Sequence, residues 1–282
     1  MTSIKRKIVW RAGLINKAIV CGRATSWQAV LKEVFSSHSE KNQLVSPLEL
    51  ERDGDFALYL TGGKKVWFPL AFDPSVLGLV YREIFEQRIY ESGSCRILPG
   101  EWVVDAGACE GFFSLYALDK GANVLAFEPV PEIAEALEKT LKSYIDAGRA
   151  KVFPLGLGRK REERMIFCHP TNAGSNTFSQ EFIGIRTEEF NSKQNKEITI
   201  DALDSVVSGL GLPVSFLKAD VEGFERELLL GARETIRRYK PRLSICTYHL
   251  PDDWRVILGI IQNFGAKYDI RFSGLFEHMY GW

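Results

Sequence analysis

The sequence predicts an α/β protein, a mainly parallel sheet flanked by helices, and three observations predict it. From Glu101 onward short apolar runs alternate with helical ones ("WVVDAG", "FFSLYALDKG", "NVLAFEP", "PEIAEALEKTLKSYIDAG"), the rhythm of βαβ units. The stretch "VVDAGACEGFFSLYAL", Val103 to Leu118, passes from strand to helix through two closely spaced glycines, as chains do around a nucleotide. Glu128 then closes the next strand, 21 residues after Gly107.

Before that rhythm begins, residues up to about Ser46 read as helical, with a break near "CGRATSW". "FALYLTGGKKVWFPL" holds two β-rich runs joined by Gly62-Gly63, a hairpin signal. "SVLGLVYREIFEQRIY" places Val76, Val80, Ile84 and Ile89 near one helical face. Residues 1–98 therefore read as an N-terminal helix-and-hairpin cap or substrate-recognition segment, and 99–282 as the ligand-binding domain.

Within the second part, "FFSLYALDKG" is a helix closed by Gly121. "PEIAEALEKTLKSYIDAG" carries proline just inside its start and apolar residues at 133, 137, 141 and 145. "KVFPLGLG" reads as a third strand, followed by a polar excursion ("RMIFCHP", "KEITIDAL") around a Gly/Ser/Asn-rich loop. Strand "VSFLKADV", helix "FERELLLGARETIRRY", strand "RLSICTYH", helix "DDWRVILGIIQNFG" and strand "KYDIRFSG" complete the alternation.

Composition narrows the function. Lys plus Arg and Asp plus Glu number 36 each, so the basic excess expected of a protein living on phosphate backbones is missing and no nucleic-acid partner is expected. The five cysteines (Cys21, Cys95, Cys109, Cys168, Cys246) include no C-x-x-C pair, and the four histidines form no ligand-spaced cluster. Neither a disulfide framework nor a metal site is indicated, and a reducing cytoplasm is the expected compartment. No apolar run is long enough to span a bilayer. The basic N-terminus "MTSIKRKIVWRAGLINKAIV" leaves two readings: a helix docked on the protein, which is favoured, or weak contact with a membrane surface.

The turn is G-x-x-x-G, from Gly107 to Gly111, whereas a dinucleotide site uses G-x-G-x-x-G with its middle glycine against the pyrophosphate. Cys109 occupies that middle position. The N-terminus of the following helix suits one carboxylate, and Glu128 suits a ribose diol. A ligand with a ribose, an amino-acid carboxylate and no phosphate is S-adenosylmethionine. Asp105 would orient the turn or meet the ligand's ammonium.

"VVDAGACEGFFSLYA", "FEPVPE", "TIDALDSV" and above all "FLKADVEGFERELLLGA" resemble, in that order, the FkbM-type methyltransferases. The resemblance runs from about Glu101 to the C-terminus, and its most specific element is Lys218, Asp220, Glu222, Gly223 and Glu225. It implies the class I methyltransferase (Rossmann-like) fold and methylation of hydroxyl oxygens of sugars and secondary metabolites. It also implies a cofactor site at Asp105, Gly107, Ala108, Cys109, Gly111, Glu128 and Pro129, with Asp220 alongside. The family often has asparagine where this chain has Cys109. Members usually finish with an antiparallel hairpin strand, whereas only "LFEHMYGW" remains after Gly274, so a short or missing last strand is expected.

For the chemistry, Asp220 ends the fourth strand and His249 the fifth, both toward the pocket. His249 has an ordinary pKa suited to a base; Asp220 would hold the ammonium or take a proton; Glu222 is a base or a helix cap; Lys218 would pair with either carboxylate. Asn172, Ser175 and Asn176 offer neutral donors and acceptors to a polyhydroxylated small-molecule or saccharide acceptor. Two rivals stand beside an O-methyltransferase: an adenosine-ligand module without turnover, and an NAD-dependent oxidoreductase, for which no Y-x-x-x-K group is present after Tyr81.

Overall fold

The computed structural model describes residues 45–185, 195–265, 267–273 and 278–281. The N-terminal helix and its membrane reading lie outside them. From Val45 to Trp282 the chain forms one compact unit. Among the described residues no helix is long and apolar enough to cross a membrane.

The first element is a three-stranded antiparallel sheet, β1 (Leu48–Asp53), β2 (Phe56–Thr61) and β3 (Lys64–Pro69), with the expected hairpin turning at Gly62-Gly63. Helix α1 (Val76–Tyr81) follows and widens into a π-helical turn, Arg82–Glu86. Ile89, expected on the same helix, lies beyond it but still packs against the core.

The main sheet has seven strands. In chain order they are β4 (Trp102–Ala106), β5 (Asn123–Phe127), β6 (Ala150–Phe153), β10 (Val214–Ala219), β11 (Arg242–Cys246), β12 (Ile270–Ser273) and β13 (His278–Gly281). Their order across the sheet is β12-β13-β11-β10-β4-β5-β6. The five from β11 to β6 are parallel, and β13 is antiparallel to both of its neighbours. This is the class I methyltransferase arrangement. The last strand is therefore present: β13 pairs Leu243 with Gly281 through Cys246 with His278.

Alternation along the strands explains the layers. Val103 and Val124 face one apolar core, shared with α2 (Phe112–Asp119), α3 (Pro131–Asp146) and the antiparallel sheet. Val104 and Leu125 face the other, shared with α5 (Leu203–Leu210), α6 (Glu225–Gly231), α7 (Arg233–Tyr239) and α8 (Asp253–Asn263). Strands buried on both faces read as continuous apolar runs, as these do. In α3 the predicted stripe is confirmed, with Ile133, Leu137 and Leu141 fully buried. The antiparallel sheet docks on α3, where Thr140 Oγ1 accepts the Trp67 N–H at 2.9 Å.

Two expected elements divide. "KVFPLGLG" gives β6 in the main sheet and β7 (Gly156–Leu157) in a small sheet with β8 (Glu162–Ile166) and β9 (Lys196–Asp201). "FERELLLGARETIRRY" breaks into α6 and α7 at Gly231, where a Cβ would lie 1.9 Å from the Gly158 carbonyl. Among the described residues between β8 and β9 are a 3-10 turn (Ala173–Ser175) and α4 (Gln180–Ile185).

Candidate functional site

In the sheet order the chain steps outward from β4 to β5 and β6, then returns to β10 on the other side of β4. Ligands in open α/β sheets sit at such a reversal, beyond the carboxyl ends of the strands. A cleft with about 530 Å³ of empty space, part of it open to solvent, lies there. Gly107, Cys109, Glu128, Pro129 and Asp220 line it, as the sequence suggests, and Glu222 joins them. Asp105, Ala108 and Gly111 stand behind the lining.

Beneath the lining lies a buried ion pair. Asp105 is fully buried and lies 3.1 Å from Lys218 Nζ, while its other oxygen accepts the Ser114 hydroxyl at 2.7 Å. Lys218 also donates to the carbonyls of Ala106 (3.2 Å) and Gly107 (2.7 Å). Burial works against its charge, but Asp105 and Asp220 outweigh it and hold its pKa above the usual lysine range. Lys218 thus clamps the β4 turn from below and does not line the cleft.

At the turn itself, Gly107 has φ +75° and Gly111 φ +95°, backbone that costs a side chain dearly. A Cβ on Gly111 would meet Leu137 Cδ1 at 2.7 Å, so this glycine serves helix packing. Cys109 adopts φ +46° without being glycine, and its N–H donates to Glu128 Oε2 at 3.1 Å. Burial pushes its thiol well above the usual range. Glu128 Oε1 accepts the Val130 N–H at 3.0 Å. Burial raises Glu128 to about 7 against the pull of those two amides.

The other end of the cleft is built around Asp220. Its Oδ2 accepts the Tyr90 hydroxyl at 2.5 Å, and its Oδ1 the Tyr248 hydroxyl at 3.4 Å. His249 Nε2 lies 3.6 Å from Asp220 Oδ1 and 3.6 Å from Glu222 Oε1, and Nδ1 lies 2.9 Å from Glu225 Oε1. Burial disfavours a charged His249, but Glu225 and Glu222 outweigh it and raise its pKa well above the ordinary value. Glu222 is itself raised by burial, with His249 pulling it down, and it holds φ +50° in a non-glycine residue. Such strain gathers at functional sites. Glu83 is raised to about 7 by burial and then by Asp220 and Glu110, which marks this end as acidic.

The loop over the cleft spends its polar groups on itself. Asn172 accepts the Gly174 N–H (3.0 Å) and donates to Ser175 (2.9 Å); Asn176 accepts the His169 N–H (2.9 Å) and donates to the Ala173 carbonyl (2.8 Å). Of the three residues expected to bind substrate, only Asn176 is among the cleft's lining. Sequence reasoning missed the apolar wall, Leu155, Leu157, Phe178 and Phe224. It also missed Tyr90, which stands outside every motif, and it placed Glu225 in the most specific motif without giving it a role.

Residues 105–271 match the profile of the methyltransferase FkbM domain. The chain is 30% identical over 186 residues to the AMB antimetabolite synthetase AmbE of Pseudomonas aeruginosa, a match covering 54% of this chain and 8% of that protein. It is 28% identical over 178 residues to the 31-O-demethyl-FK506 methyltransferase FkbM of Streptomyces tacrolimicus, covering 55% of this chain and 68% of that one. Among solved structures, methyltransferase FkbM from Methylobacillus flagellatus KT superposes with a TM-score of 0.52 at 23% identity, over 72% of this chain and 48% of that one.

Proposed function

The chain belongs to the FkbM methyltransferase family, and from that premise we propose that it moves a methyl group from S-adenosylmethionine to a hydroxyl oxygen of a saccharide, glycan or other secondary metabolite. The observation that carries the cofactor assignment is the charge of the cleft. Among the described residues its lining holds three carboxylates (Glu128, Asp220 and Glu222) and no basic side chain. Such a lining repels a pyrophosphate and suits a sulfonium and an ammonium.

The donor groups fit the same ligand. Glu128 gives one lone pair on each oxygen to a backbone amide, which leaves one on each for the two hydroxyls of a ribose. Leu155, Leu157, Phe178 and Phe224 supply apolar surface for the adenine and exclude water. When bound, S-adenosylmethionine would supply an electrophilic methyl to the attacking oxygen. The chain orients the acceptor and takes its proton at the Asp220–Glu222 carboxylate pair, with Tyr90 fixing Asp220. Tyr90 comes from the segment before residue 99, which supports that segment as the acceptor-side cap. The relative named for acting on 31-O-demethyl-FK506 supports an oxygen acceptor.

The test is transfer of a labelled methyl from S-adenosylmethionine to a panel of polyhydroxylated acceptors. Label on oxygen is expected, and Asp220→Asn should lose about a hundredfold in turnover while still folding. Cofactor binding without transfer to any acceptor would point to a non-catalytic adenosine-binding module, and NAD binding to hydride chemistry.

A further inference from the structure

Three groups from different elements meet behind the acceptor end of the cleft: Asp220 after β10, Glu225 at the start of α6, and His249 after β11. One donor atom from each lies within 4.8 Å of the others. Two of these side chains are buried with atoms left over. Glu225 is fully buried; its Oε1 accepts the Val221 N–H at 2.9 Å and lies 2.9 Å from His249 Nδ1, but its Oε2 has no hydrogen-bond partner. His249 is 6% exposed, and neither of its ring nitrogens has a hydrogen-bond partner. Buried polar atoms are seldom left in this state, because removing them from water is costly unless something replaces the water.

We propose that Asp220, Glu225 and His249 form a binding site for one divalent transition cation of the manganese or zinc class. Two carboxylates and one imidazole are a donor set for those ions, whereas calcium prefers oxygen alone. Donors on one such ion, at about 2.0–2.2 Å each, sit closer together than 4.8 Å. Binding therefore draws the three side chains inward, and Glu222, with Oε1 3.6 Å from His249 Nε2, is the fourth donor in reach. The composition hid this site, because 24 residues separate Glu225 from His249.

An ion here would polarise an acceptor hydroxyl arriving at Asp220. That role rests on the methyl-transfer reading above, whereas the binding itself does not.

The test uses the full chain, treated with chelator and desalted, and titrated with manganese(II) while electron paramagnetic resonance reads the free ion. One ion per chain is expected, displaced by zinc(II). Asp220→Asn and His249→Gln should each weaken binding at least tenfold, and Glu132→Gln, remote from the site, should leave it unchanged. Circular dichroism checks that each variant is folded, and Asp220→Asn, only half-buried, carries the test if the histidine variant fails to fold. No saturable binding, or binding that Asp220→Asn leaves intact, overturns the proposal. A chain that binds manganese but no S-adenosylhomocysteine would sink the cofactor reading and leave this one standing.

Discussion

Gly107 and Asp220 hold the tips of β4 and β10 in contact: a Cβ at position 107 would lie 2.0 Å from the Asp220 carbonyl oxygen. That atom is backbone and cannot swing aside. With φ at +75° as well, Gly107→Ala should cost about 2–4 kcal/mol, read as a fall in the urea midpoint. S-adenosylhomocysteine affinity should fall with it, because the contact shapes the cleft.

Lys218→Met strands a charge. Asp105 is fully buried against Lys218, and removing one partner of a buried pair costs about 3–5 kcal/mol. Adding Asp105→Asn should recover part of that loss. A double-mutant cycle in urea should show a coupling of at least about 1 kcal/mol; simple additivity would mean the pair does not act as a unit.

Glu128 makes cofactor binding depend on pH. Burial lifts its carboxyl to about 7, and the ionised form is the one that accepts two ribose hydroxyls. S-adenosylhomocysteine affinity should therefore rise with pH up to about 7 and flatten above it, a trend that Glu128→Gln should abolish. Stability runs the other way. A carboxyl whose folded pKa lies above its unfolded value favours the fold when protonated, and that contribution is lost as pH rises through 7. Glu128→Gln removes this titration while leaving one of the two amides facing an NH2 group, so thermal melts of the unliganded variant should lose this part of the fall in stability between about pH 4.5 and 7.

Tyr90 fixes Asp220 through a 2.5 Å hydrogen bond. Tyr90→Phe keeps the ring against Phe113 and removes only the hydroxyl. Turnover should fall about ten- to a hundredfold, by the roughly 1.5–3 kcal/mol typical of a charged hydrogen bond, with S-adenosylhomocysteine affinity unchanged. Equal losses in both would place Tyr90 at the cofactor instead.

The β4 turn, Glu128 and the α3 stripe were legible in the sequence because each depends on local spacing: two glycines, a strand's length, a helical period. The apolar wall was not, since Leu155, Phe178 and Phe224 look like any core residues until β7 and the loop after β8 bring them to the cleft. Lys218 was legible as a partner of a carboxylate, but only the fold says that the partner is Asp105 and not one in the cleft. Likewise, His249 at a strand end promised a base. Its pairing with Glu225 and Glu222, which changes its proton affinity, depends on how α6 lies beside β11. The break at Gly231 and the strand at His278–Gly281 come from packing and pairing that no local signal announced.

The central claim is that Glu128 holds the ribose of an S-adenosyl ligand, and isothermal titration with S-adenosylhomocysteine tests it most directly. Binding in the micromolar range is predicted, with NAD inert as control, and Glu128→Ala should weaken it by about 1.5–3 kcal/mol. Binding that Glu128→Ala leaves untouched, or a preference for NAD, would contradict the account.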